Sequence, residues 1–152
     1  MANNTESKKA VFAAGCFWGV ESTFQQMDGV KSTTVGYIGG KVKNPSYELV
    51  CTGLTGHAEA VEIVYNPNEV TFEKLLDTFF ELHDPTTLNR QGNDRGTQYR
   101  SAIFTLSKEQ DVTANRIKEK VNTSGKWKNP VVTEITNASK FTPAEDYHQD
   151  YL

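Results

Sequence analysis

The sequence predicts an α+β fold built on a ferredoxin-like split βαβ core, and three observations predict it. The segments that read as strand and helix follow the order β-α-β-β-α-β-α-β with a last helix, and the first six match the split βαβ pattern. His57 to Tyr65 (HAEAVEIVY) alternates with a period of two, which sets Glu59, Val61, Ile63 and Tyr65 on one face and Glu62 on the other. Phe72, Leu75, Leu76, Phe79 and Phe80 recur at helical spacing, as the buried stripe of an amphipathic helix does.

The elements follow in order. Met1 to Ser7 is polar and is expected to be disordered. Lys8 to Ala14 (KKAVFAA) reads as the first strand. Phe17 to Met27 reads as a helix, with Phe17, Val20, Phe24 and Met27 on one face and Asp28-Gly29 closing it. Val30 to Ile38, rich in Val and Thr, is the second strand. Gly39 to Leu49 holds Gly-Gly and Asn-Pro and reads as a loop. After the strand at His57 to Tyr65 comes a turn at Asn66-Pro67-Asn68, and Thr71 caps the next helix. Asp84 to Gly96 is a long polar segment, and loops of that length inside a compact domain are often functional. Tyr99 to Leu106 is a strand. Ser107-Lys108-Glu109-Gln110 is a capping box for a helix that runs to about Ser124 and ends at Gly125. Val131 to Thr136 is the last strand, and Thr142 with Pro143 opens a terminal helix.

The 152 residues fit one domain, 1–152, with a substantial core. A net charge of -3 gives no reason to expect nucleic acid or an anionic membrane as partner. The start of the chain lacks the apolar run of a secretory signal, and no run approaches membrane-spanning length. Two cysteines far apart are too few for a disulfide scaffold, so a reducing, cytoplasmic setting is expected. The three histidines have no recognised zinc spacing, and no C-x-x-C follows His57-Ala58-Glu59, so no metal site is expected. No Walker A or G-x-G-x-x-G motif is present.

Chemistry concentrates at Ala14-Gly15-Cys16-Phe17-Trp18-Gly19, where the first strand hands over to the first helix. The first amides of a helix lack internal partners and favour a thiolate. Gly15 and Gly19 would allow close approach, and Phe17 and Trp18 suggest an apolar pocket beside the sulfur. A buried core thiol is the alternative reading of Cys16. Glu59, on an apolar strand face, would have a raised pKa suited to proton donation, or would pair with an Arg or Lys.

Four stretches carry a resemblance. They are Gly15-Cys16-Phe17-Trp18-Gly19; Gly36-Tyr37-Ile38-Gly39-Gly40 leading to Asn44-Pro45-Ser46-Tyr47; Thr55 to Val61; and Arg90 to Ser101 (RQGNDRGTQYRS). In that order they resemble the peptide methionine sulfoxide reductase A family. The resemblance implies an α+β two-layer sandwich with helices packed on a mixed sheet, and reduction of methionine-S-sulfoxide, free or in proteins, as repair of oxidative damage. It implies Cys16 as the nucleophile that becomes a sulfenic acid and Glu59 as the acid. It implies Tyr47 and Tyr99 as phenols that bind the sulfoxide oxygen, Phe17 and Trp18 as the wall for the methyl group, and Asp94 as support for the thiol's environment. Asp94 could instead bind Arg90, Arg95 or loop amides. Many members resolve the sulfenic acid with a cysteine in a Gly-rich C-terminal tail. The sequence ends at Leu152 without one, and Cys51 does not match it. A one-cysteine enzyme is therefore expected. It would bind no cofactor, would be reduced by an external thiol (thioredoxin, glutaredoxin or glutathione), and would be a monomer. Cys51 reads as a partly buried structural thiol. The competing readings are a Cys16-His57-Asp94 hydrolase, a thiol peroxidase and a noncatalytic module that recognises oxidised methionine.

Overall fold

The computed structural model describes residues 7–152, so the expectation for Met1 to Ser7 lies, Ser7 apart, outside the described residues. The elements are β1 (Lys8–Ala14), α1 (Phe17–Gln25), β2 (Val30–Ile38), α2 (Tyr47–Cys51), β3 (Ala58–Tyr65), α3 (Phe72–Leu82), β4 (Arg90–Gln91), β5 (Asp94–Arg95), β6 (Ser101–Thr105), α4 (Lys108–Asn122), β7 (Glu134–Asn137) and β8 (Thr142–Pro143). Single 3-10 turns lie at Thr97–Tyr99 and Asp146–His148. No helix of the described residues is long and apolar enough to cross a membrane.

The main sheet runs β7-β6-β1-β3-β2-β8. Its centre, β6-β1-β3-β2, is antiparallel throughout and is the ferredoxin-like arrangement that the element order predicts. β6 and β7 pair in parallel across the α4 crossover, which makes the sheet mixed. α1, α3 and α4 pack on one face. There the Phe12 ring of β1 meets Phe24 at 5.6 Å and Phe79 at 5.1 Å, tying the sheet to α1 and α3. The other face carries Val11, Ala13, Ile38, Ala58, Ala60, Ala102 and Phe104, with Ala138 and Phe141 packed over them. Burial on both faces explains why β1 reads as a nearly continuous apolar run.

The predicted caps hold. The Thr71 hydroxyl accepts from the Lys74 amide and the Ser107 hydroxyl from the Gln110 amide, each at 3.1 Å. The Gln110 side chain departs from the capping box by accepting from the Leu106 amide at 2.9 Å and donating to the Lys9 carbonyl at 2.7 Å, which fastens α4 to β1.

Three expectations are corrected. The loop read over Gly39 to Leu49 ends in α2, one turn capped by Ser46, whose hydroxyl accepts from the Leu49 amide at 3.3 Å. The segment Asp84 to Gly96 contains the small β4-β5 hairpin. The terminal helix is replaced by β8 and a strap. Thr142 and Pro143 pair with Tyr37 and Gly36 of β2, and the Gln149 side chain then takes a strand's part, accepting from the Val35 amide at 2.8 Å and donating to its carbonyl at 3.0 Å. An open edge of β2 outcompetes the local helix signal because its backbone groups need partners.

Candidate active site

Cys16 is the N-cap of α1, half-buried, with the amides of Trp18 and Gly19 directed at its sulfur. Gly15, at φ +96°, turns the chain there and lets Gln91 approach so closely that a Cβ would lie 2.8 Å from its Cγ. Around Gly19 there is open space, so it serves no such approach. The expectation of a favoured thiolate is also corrected. Burial, with the nearby charges of Glu59 and Asp94, outweighs the helix amides and raises the Cys16 pKa above its ordinary value. The resting group is a thiol.

Glu59 stands on β3 opposite Tyr37 of β2 and is almost fully buried. Its Oε1 accepts from the Phe17 amide at 3.2 Å, so the carboxyl sits against the first turn of the helix that Cys16 caps. Its Oε2 is buried without a hydrogen-bond partner among the described residues. Burial, and secondarily Asp94, push its pKa up from 4.5 to about 7 against the pull of the Phe17 amide. The alternative of an Arg or Lys partner does not hold for a carboxyl in this state.

The other predicted residues gather around this pair. Tyr47 opens α2, its ring 6.2 Å from Trp18 and 6.4 Å from Phe17 in stacked orientation. Tyr99 closes the 3-10 turn before β6. Burial and the charges of Glu59, Cys51, Asp94 and Cys16 all raise its pKa, so it remains a neutral donor. The Tyr47 pKa is raised as well, by burial first and then by Cys51. Asp94, exposed on β5, acts on Cys16, Glu59 and Tyr99 through its charge. Phe17 is buried and Trp18 half-buried, their rings 6.4 Å apart.

Cys51, expected as a partly buried structural thiol, lies beside the site, and three further residues, His148, Tyr151 and Glu145, join it without any sequence signal. Cys51, at the end of α2, directs its sulfur at the phenols of Tyr47 and Tyr99. Burial, followed by Glu59, raises its pKa although the phenols lower it. His148 is buried, its Nδ1 accepting from the Trp18 indole at 3.0 Å and its ring 4.3 Å from that of Tyr47. Tyr151 stacks on Trp18 at 4.0 Å. Glu145 binds both Tyr37 and Tyr47. These three belong to the strap that was read as a helix, and no local pattern marks them.

His57 stands apart. Its Nδ1 accepts from the Gly40 amide at 3.1 Å and its Nε2 pairs with the Val42 carbonyl at 2.7 Å, so both ring nitrogens hold the loop before α2. This removes the base that a Cys-His-Asp hydrolase requires. His57→Ala is expected to cost about 1–3 kcal/mol in urea unfolding through the amide and carbonyl it strands. The rate at which iodoacetamide alkylates Cys16 is expected to stay within about twofold of native, because no group at the sulfur changes.

Residues 8–152 match the family model described as peptide methionine sulfoxide reductase. A peptide methionine sulfoxide reductase MsrA of Methanoculleus marisnigri is 53% identical over 152 residues, covering 100% of this chain and 93% of that one. The crystal structure of reduced Mxr1 from Saccharomyces cerevisiae superposes with a TM-score of 0.91 at 39% identity, covering 100% of this chain and 87% of that chain. Mxr1 in complex with Trx2 superposes with a TM-score of 0.70 at 28% identity, over 100% and 89% of the respective chains.

Proposed function

The chain belongs to the peptide methionine sulfoxide reductase family and is an oxidoreductase, a peptide-methionine (S)-S-oxide reductase; we propose that Cys16 is its nucleophile and Glu59 its acid. The observation that carries this assignment is the Glu59 carboxyl. It is buried against the first turn of the helix that Cys16 caps, burial pushes its pKa up to about 7, and one of its oxygens has no partner among the described residues.

The steps follow from the groups present. Phe17 and Trp18 seat the methyl group on the substrate sulfur, and the Tyr47 and Tyr99 phenols donate to the sulfoxide oxygen. Separate seats for methyl and oxygen select one epimer of a chiral sulfoxide. The thiol proton passes to Glu59, and the Cys16 thiolate attacks the substrate sulfur. Electron density moves onto the oxygen, which becomes strongly basic, and Glu59 protonates it as the sulfur–oxygen bond breaks. The hydroxide so released adds to the Cys16 sulfur, the bond between the two sulfurs breaks with its electron pair going to the substrate sulfur, and Cys16 ends as a sulfenic acid and the substrate as methionine. One proton leaves the thiol and one reaches the oxygen, so the step is balanced. After burial, the charge of Asp94 adds to the rise in the Glu59 pKa and so helps the carboxyl hold the proton it takes from the thiol.

We assign the return step to an external thiol acting on Cys16 directly, with thioredoxin as the first candidate because the yeast relative forms a complex with Trx2. Cys51 is a poor attacking group, its pKa raised and its sulfur engaged by two phenols. Substrate can be free or in a protein.

The test is steady-state turnover with each epimer of methionine sulfoxide and a thioredoxin system. Methionine from the S epimer alone is expected. Turnover of the R epimer, or of neither, would contradict the assignment.

A further inference from the structure

We propose that Glu145 is a positioning residue for Tyr47, fixing the aim of its phenol without touching substrate. The proposal rests on the role assigned to Tyr47 above.

The Glu145 carboxylate spans two elements. Oε1 accepts from the Tyr37 hydroxyl at 2.9 Å, and Oε2 accepts from the Tyr47 backbone amide at 3.1 Å. Tyr37 is a fixed post. It is fully buried on β2, opposite Glu59, and its ring lies 5.8 Å from Phe17. The main chain beside Glu145 is anchored too, because the Ala144 amide donates to the Val35 carbonyl at 2.8 Å.

Tyr47 needs such a hold. It is the first residue of a five-residue helix, too short to keep its own direction, since helix formation rewards length. The Ser46 cap serves the Leu49 amide and leaves the Tyr47 amide to Glu145. The ring of His148 lies 4.3 Å from that of Tyr47, with Trp18 and Phe17 at 6.2 and 6.4 Å, but Glu145 is what holds its backbone. Because reaction rates respond steeply to ångström-scale misplacement, a frayed α2 costs turnover even where the protein stays folded.

The experiment compares Glu145→Ala, Glu145→Gln and Tyr37→Phe, each in native and Tyr47→Phe backgrounds. It measures kcat and KM on methionine-S-sulfoxide, and hydrogen exchange at the Tyr47 amide. The Gln side chain can still accept from that amide while its NH2 donates to a rotated Tyr37 hydroxyl, so it preserves both bonds. Tyr37→Phe keeps the ring in the core and removes only the post's hydroxyl, which tests the link if Glu145→Ala fails to fold.

Glu145→Ala is expected to lower kcat about tenfold with little change in KM, Tyr37→Phe about threefold, and Glu145→Gln less than about threefold. In the Tyr47→Phe background each is expected to cost less than about twofold more, because residues acting through one group are not additive. The Tyr47 amide is expected to exchange faster in the Ala variant and at the native rate in the Gln variant. Losses that multiply fully with Tyr47→Phe, a Gln variant as impaired as the Ala variant, or a native kcat in Glu145→Ala would overturn the proposal. An unaltered protein that makes no methionine would overturn the functional reading instead.

Discussion

Cys16→Ser is expected to stop methionine formation, with a fall of at least about 10³-fold in single-turnover rate. The hydroxyl is nearly isosteric with the thiol, so the N-cap of α1 and the contacts of Phe17 and Trp18 remain. What is lost is the nucleophile. A serine hydroxyl stays protonated, is a far weaker attacker of a sulfoxide sulfur, and cannot carry the oxygen away as a sulfenic acid. Urea unfolding at the native midpoint, with no methionine from the S epimer, would confirm a purely chemical role. A variant that still forms methionine would remove Cys16 from the reaction. Retained binding of oxidised methionine is compatible with the account, because Phe17, Trp18, Tyr47 and Tyr99 are all still present. A noncatalytic binding module would differ from this account in the native protein, which would then bind without turnover.

Glu59→Gln is expected to lower the rate about 10²- to 10⁴-fold, the usual range for loss of a positioned general acid. Its pH dependence is more specific. Below about pH 7 the Cys16–Glu59 pair holds two protons, and above it holds one until the thiol ionises. The reaction needs the pair with one proton, divided as thiolate and carboxylic acid. In the native protein kcat/KM is therefore expected to rise through about pH 7 and to fall again only in the alkaline range where the raised Cys16 thiol titrates. The limb near pH 7 should vanish in Glu59→Gln. An unchanged limb there would assign it to another group.

Stability supplies an independent check with a definite sign. The folded pKa of Glu59 is about 7 against an ordinary 4.5, so the folded state binds more protons than the unfolded state between those values. Stability is then lost as pH rises through that window, by roughly 3 kcal/mol once both states are ionised. Glu59→Gln, which cannot ionise, should be the more stable protein at pH 8, and its advantage should disappear below about pH 4.5. Calorimetry at the two pH values measures this directly.

Much of this site is legible in the sequence because strand alternation is a strong constraint. The HAEAVEIVY pattern puts Glu59 on the buried face of β3, and the structure shows Val61, Ile63 and Tyr65 in the core beneath the helices. The strand-to-helix junction at Cys16 is equally plain, as are the caps at Thr71 and Ser107. The outcome at the thiol was not legible, because it depends on a balance. The helix amides lower the pKa as the junction predicts, but burial and two carboxyl groups from β3 and β5 raise it further, and their distances belong to the fold. α2 was hidden because Gly-Gly and Asn-Pro precede it and a single turn has no periodicity to read. The strap is ambiguous in the sequence because Thr142 and Pro143 fit a helix start as well as an edge strand. Only the unpaired edge of β2 decides between them, and with that choice went Glu145, His148 and Tyr151. Cys51 is partly buried, as a structural thiol would be, and its neighbours, the phenols of Tyr47 and Tyr99, are set by the fold.

The most direct measurement is mass spectrometry of the reduced protein after one turnover with methionine-S-sulfoxide in the presence of dimedone. One methionine per protein, with the dimedone adduct on the peptide that contains Cys16 and a free Cys51, is the predicted result. A Cys16–Cys51 disulfide in place of the adduct would contradict the direct role given to the external thiol. An absence of methionine would contradict the assignment of Cys16 and Glu59 as nucleophile and acid.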